Sequence, residues 1–124
     1  VQNEIEVEST TIEKFCIELN IKKIDFVWMD LQGAEYLALK GMGKLIRNID
    51  IIHTEAETFE IYSEQYYFKD IKKILKRNFV LVSGNKNHPY FDNFIFINKT
   101  YFFKFFREYV SYSKNNLLKK LKLN

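Results

Sequence analysis

The chain is poor in the residues that build unusual backbone. Its 124 residues include 4 glycines, at positions 33, 41, 43 and 84, and 1 proline, Pro89. A loop that cradles phosphate or a nucleotide needs several glycines within a few residues, so the chain contains no such cradle. Cys16 is the lone cysteine. It excludes an intramolecular disulfide, suits a reducing compartment, and is expected to pack as a small buried hydrophobe. The 2 histidines, His53 and His88, stand far apart, without the spacing of metal ligands, and no metal site is expected. No apolar run reaches the roughly 20 residues needed to span a bilayer, and no signal peptide with its apolar centre is present. The expected location is therefore cytoplasmic. The chain opens on Val1 rather than Met, as a processed or truncated end would.

What the chain does have is a folded domain's composition, with 47% apolar and 28% charged residues, which argues against disorder. Its charge is divided unevenly. From Lys99 onward 7 basic residues accompany one acid, Glu108, whereas residues 1–98 carry 12 basic and 15 acidic groups. The net charge of +3 thus conceals an acidic body of −3 and a basic tail of +6. We divide the chain accordingly into an α/β unit, residues 1–98, and a basic, aromatic helix, residues 99–124.

Periodicity places the elements. Ile5 and Val7 alternate with Glu4, Glu6 and Glu8 in a weak strand pattern. Thr10-Thr11-Ile12-Glu13 reads as a capping box, with Thr10 the cap and Glu13 reaching back. A helix over 11–20 follows, with Ile12, Phe15, Cys16 and Leu19 on one face. The apolar run Phe26 to Met29 sets a strand at about 24–30 that ends on Asp30. From Ala34 to Lys40 the residues favour helix; Gly41 and Gly43 break it, and a short second helix runs to about 48. Asp50 to Glu55 is the next strand. A surface helix over 66–77 carries Lys69, Lys72, Lys73 and Lys76 as a solvated face. Strands at 79–84 and 93–98 are joined by a hairpin through the turn residues of Gly84 to Asp92. Helical crossovers make the first three strands parallel, and the hairpin reverses the fourth. The expected fold is α/β, a mostly parallel sheet with a terminal antiparallel hairpin.

In such sheets ligands bind outside the carboxyl ends of the strands. Asp30 and Glu55 both lie at that rim, where a carboxylate can accept a proton or hold a hydroxyl. Gln32 and the amides around Gly33 to Glu35 can donate to a polar ligand from the start of a helix. A competing reading is that Asp30 and Glu55 only cap helices and satisfy loop amides. Glu35 has a strong structural reason of its own, because an acid in a first helical turn is favoured by the helix dipole. A lone strand histidine such as His53 is more often packed than catalytic. Asn98-Lys99-Thr100 matches a glycosylation acceptor, which means little without a secretory signal.

One resemblance is specific. Asp30-Leu31-Gln32-Gly33-Ala34-Glu35, followed by Leu39-Lys40-Gly41, resembles the signature of FkbM-type methyltransferases. The approach Thr10-Thr11-Ile12-Glu13-Lys14-Phe15, then Ile24-Asp25-Phe26, is similar to that family's lead-in. The strand ending on Glu55 is similar to its next strand. The resemblance covers about residues 9–98. It implies an S-adenosylmethionine-dependent enzyme that methylates a hydroxyl of a sugar, glycan or natural product, on the class I (Rossmann-like) fold. It also implies that this chain is the later half of that domain, since the family's glycine-rich loop and ribose-binding acid belong to earlier strands. By motif position Asp30 would be the base or substrate orienter and, with Leu31, would adjoin the cofactor. Glu55 would face the substrate as a second catalytic carboxylate, and Gln32, Glu35 and His53 would contact the substrate.

The tail offers another function. Phe102, Phe105, Phe106, Tyr109, Val110, Leu117, Leu118 and Leu121 share a broad helical face, with Lys104, Arg107, Lys114, Lys119, Lys120 and Lys122 interspersed. This helix either covers the sheet or docks the chain, as a non-catalytic module, on an anionic membrane surface or anionic partner. Nucleic acid is not favoured.

Overall fold

The computed structural model describes residues 4–59, 66–84 and 89–122, with side chains as far as Tyr112. In chain order it contains α1 (Ile12–Glu18), β1 (Ile24–Met29), α2 (Glu35–Gly41), a 3₁₀ helix (Gly43–Asn48), β2 (Ile49–Glu57), α3 (Phe68–Leu75), β3 (Phe79–Gly84), β4 (Phe91–Asn98) and α4 (Lys99–Lys122). The expected order is found except at the start. Residues 4–11 form no strand, and Ile5 and Val7 are exposed. Three glutamates leave that segment too little apolar surface to bury. The cap of α1 is Thr11 rather than Thr10; its hydroxyl accepts from Lys14 N at 3.2 Å. Glu13 does not reach back but accepts from Lys44 N at 2.7 Å, fastening α1 to the 3₁₀ helix.

The four strands form one sheet in the order β1-β2-β4-β3. β1 pairs with β2 in parallel, and β4 runs antiparallel to both β2 and β3. The expectation of a mostly parallel sheet is thereby corrected, because two of the three pairings are antiparallel. The reason lies in β4. Its Phe94 and Phe96 are buried, with Ile95 and Ile97 half-buried on the other side. A strand apolar on both faces gains most from an inner position, so β4 lies between β2 and β3. The more exposed β3 becomes an edge.

Strand side chains alternate between faces, and here the two faces differ. Met29, Ile52, Ala56, Phe94 and Phe96 pack with Leu39 and Met42 from the α2 region and Ile71 and Leu75 of α3. Phe68 stacks on Phe94 at 3.8 Å between ring centroids. The opposite face is open. There Phe26, Trp28, Ile51, His53 and Ile95 line a shallow apolar hollow of about 370 Å³, with Trp28 70% exposed. α4 follows β4, and among the described residues none of its side chains lines this hollow. Its Tyr101, Phe103, Phe105, Phe106, Tyr109 and Tyr112 are exposed. Lys99, at its first residue, donates to the carbonyls of Lys76 and Arg77 beyond α3, where a cation meets the negative end of the helix dipole. No helix among the described residues is long and apolar enough to cross a membrane.

Candidate functional site

The turn from β1 into α2 is held from within. Glu35 is 2% exposed, and its carboxylate accepts from Leu31 N at 2.6 Å and Gly33 N at 3.0 Å. Burying a carboxylate is costly unless its oxygens are satisfied; two amide donors do this and fix the loop. Ala34 N closes the turn on the Leu31 carbonyl at 3.3 Å. Of the amides around Gly33 to Glu35, expected to face a ligand, those of Gly33 and Ala34 are used internally. Gln32 takes φ 52° and Gly33 φ 98°, the left-handed region that glycine enters freely and glutamine rarely. This tight path turns Asp30 outward. Its exposed carboxylate receives the Gln32 Nε2 donor on Oδ1 at 2.7 Å.

The parallel register pairs Met29 with Thr54, so Asp30 and Glu55 are the next residues along neighbouring strands. Asp30 leaves the strand immediately, whereas β2 continues to Glu57 and Glu55 pairs with Asn93 of β4. Glu55 thus lies within a strand near the rim and does not end it. Strand alternation places Glu55 and Glu57 on the open face, continuing the line of Ile51 and His53. His53 sits beside Trp28, ring to ring at 5.2 Å in an edge-on arrangement. Its Nδ1 is buried and has no hydrogen-bond partner among the described residues. Leu31 is exposed. The structure therefore groups Asp30, Leu31, Gln32 and Glu35 in one turn. It sets Glu55 level with Asp30, and His53 one same-face position below Glu55. His88 lies outside the described residues.

Two features, one at the rim and one at the opposite end of the sheet, escape a reading of motifs. Tyr36 stacks on Tyr66 at 3.8 Å, with Lys40 Nζ 5.7 Å from the Tyr36 ring, forming an aromatic wall between α2 and the approach to α3. An i, i+4 Tyr-Lys pair on a helix was a signal for the second contact; nothing local marks the first. The other is Asn98, read from sequence only as a glycosylation acceptor. It is 8% exposed and its amide donates to the carbonyls of Arg47 and Ile49. Its oxygen accepts from Thr100 N at 3.0 Å, which caps α4. An amide so enclosed is structural and does not present itself for modification.

Comparison with known proteins follows the same residues. Residues 1–81 match the Methyltransferase FkbM domain, a stretch that contains the whole Asp30–Glu35 turn and β2. A relative in Sinorhizobium fredii (strain NBRC 101917 / NGR234), the 2-O-methyltransferase NoeI, is 33% identical over 71 residues. That match takes in 57% of this chain and 29% of NoeI, so the aligned stretch spans less than a third of the relative. No solved structure matches the chain. With the family matched across most of its length, the chain belongs to the FkbM methyltransferase domain family.

Proposed function

We propose that this chain forms the acceptor side of an S-adenosylmethionine-dependent O-methyltransferase, acting on a hydroxyl of a sugar, glycan or natural product. The observation that carries the reading is the exposed Asp30 carboxylate, presented at a strand's carboxyl end by a turn that Glu35 locks. The 2-O-methyltransferase relative supports oxygen as the acceptor atom. The strand directions, with β1, β2 and β3 alike and β4 reversed, support the later half of a class I, Rossmann-like domain.

The described residues fit only part of such a cofactor. Negative charge from Asp30 and Glu55 favours a sulfonium cation near the rim. The Leu31 and Gly33 amides, which could otherwise hold a carboxylate, are taken by Glu35, and no second glycine adjoins Gly33. On their own these residues do not compose a cofactor pocket. What they can do is handle the acceptor. With Gln32 holding Oδ1 of Asp30, the other carboxylate oxygen is placed to take a hydroxyl proton, a role worth about 10²–10⁴ in rate. The test is methyl transfer from labelled S-adenosylmethionine to hydroxyl acceptors by the intact protein. Asp30→Asn should lower it by about that factor with an unchanged thermal midpoint. Retained activity with a large loss of stability would make Asp30 a structural residue instead.

A second reading rests on α4, whose Tyr101, Phe103, Phe105, Phe106, Tyr109 and Tyr112 are exposed within a tail of net charge +6. In it the chain is a binding module that lies on an anionic bilayer. Aromatic and basic residues on one helix are the usual equipment of interfacial anchoring. Sedimentation with phosphatidylglycerol vesicles should then weaken in Phe105→Ser/Tyr109→Ser. Equal sedimentation of the variant would remove this reading and leave the enzymatic one untouched.

A further inference from the structure

A cluster of cations gathers at the end of the sheet opposite Asp30. Lys22 and Lys23 precede β1, Arg47 lies near the end of the 3₁₀ helix, and Lys104 is on the first turns of α4. Together with Asn48, Asp50, Asn98, Thr100 and Tyr101 they line an open pocket of about 390 Å³. Lys23 is engaged with Asp25 and Asp50, both at 2.7 Å. Lys22, Arg47 and Lys104 have no carboxylate partner among the described residues. Like charges brought together without counter-ions repel, and the packing of the core does not require it, since all three side chains are exposed.

The frame beneath them is fixed. Asn48 donates to the Lys22 carbonyl at 3.0 Å, and Asn98 binds the Arg47 carbonyl at 3.1 Å while capping α4 ahead of Lys104. Two asparagines thus tie the three cation-bearing segments together. Thr100 and Tyr101 add hydroxyl donors. A second hollow along α4 shares Thr100 and Lys104 with the pocket and is lined also by Phe103, Arg107, Glu108 and Ser111. Arginine and lysine beside hydroxyl-bearing residues are the donor chemistry that a phosphate group takes.

We propose that this pocket binds a phosphate-bearing anion, either the headgroup of an anionic phospholipid or a soluble phosphate compound. The proposal does not rest on methyl transfer, because it uses the opposite end of the sheet.

The experiment has two arms, calorimetric titration with pyrophosphate and sedimentation with phosphatidylglycerol against phosphatidylcholine vesicles. Both are performed on the parent chain, on Arg47→Gln/Lys104→Gln, and on the charge-matched control Lys69→Gln/Lys73→Gln from α3. Binding in at least one arm, weakened about tenfold or more by the pocket variant and not by the control, supports the site. Binding to vesicles alone identifies the lipid source, and binding to pyrophosphate identifies a soluble one. Circular dichroism confirms that the variant retains its fold. The proposal is overturned if neither probe binds the parent chain, or if pocket and control variants bind equally well.

Discussion

Gln32 reaches from a left-handed backbone position to hold Oδ1 of Asp30 at 2.7 Å. Its side chain and its backbone can be tested separately. Gln32→Gly relieves the positive φ and removes the donor, so stability should hold or rise by up to about 1 kcal/mol. In the proposed enzyme, methyl transfer should fall about tenfold through kcat, while KM changes little. Gln32→Val, with a branched side chain at the same φ, should instead lower the urea midpoint. Equal stability of the two variants would contradict the strain.

Glu35 is tested by its amide. Glu35→Gln keeps one oxygen acceptor but turns an NH₂ group toward a backbone N–H that the carboxylate now satisfies. Charge-assisted bonds of this kind are worth about 1.5–3 kcal/mol, so a destabilisation of about that size should appear in urea unfolding. A change below about 0.5 kcal/mol, typical of surface substitutions, would show that the carboxylate is not holding the loop.

Gly84 closes β3 directly against the ring of Phe94, and a Cβ there would overlap that ring. Phe94 is itself held between Gly84 and Phe68. Gly84→Ala should therefore cost about 1–3 kcal/mol by overpacking, measured as a lower thermal midpoint. Pairing it with Phe94→Leu should recover part of the loss.

The ion pairs at the start of β1 set a pH dependence. The Lys23 ammonium, hydrogen-bonded and close, holds the Asp25 carboxyl below its ordinary value. The bonds to Asp25 and then Asp50 raise Lys23. A depressed carboxylate contributes stability above its unfolded pKa, near 3.9, and loses it as pH falls through the lower folded value. A raised lysine contributes below its unfolded pKa, near 10.4, and loses it as pH rises through the folded value. Asp25→Asn should thus be slightly less stable than the parent chain at neutral pH. The two thermal midpoints should converge in strong acid. Both groups lie at the surface, so salt should shrink the difference.

Much of this fold is legible in the sequence because periodicity is local. The run Phe26 to Met29, the glycines that end α2, and the i, i+3 and i+4 apolar positions of α3 locate their elements to within a few residues. Strand order is not local. The insertion of β4 between β2 and β3 follows from which strand is apolar on both faces, a comparison among distant segments. The cap of α1 shows the same limit: Thr10 and Thr11 are equivalent until Glu13 finds Lys44 across the fold. At the candidate site, the position of Asp30 could be read from a strand end, and Glu55 stands level with it although β2 runs on to Glu57. The role of Glu35 could not be read. A first-turn acid ordinarily signals the helix dipole, and only the turned-back path of residues 31–33 brings two amides to its carboxylate.

Trp28 is the sole tryptophan of the chain and sits largely exposed on the open face, beside His53. It is consequently an intrinsic optical probe of that surface. Its emission should report water contact and yield readily to acrylamide quenching. A partner settling over the Trp28 hollow should shift that emission to the blue and slow the quenching. An occupant confined to the cationic pocket at the other end should leave it dark to the event, so one fluorophore can tell the two surfaces apart.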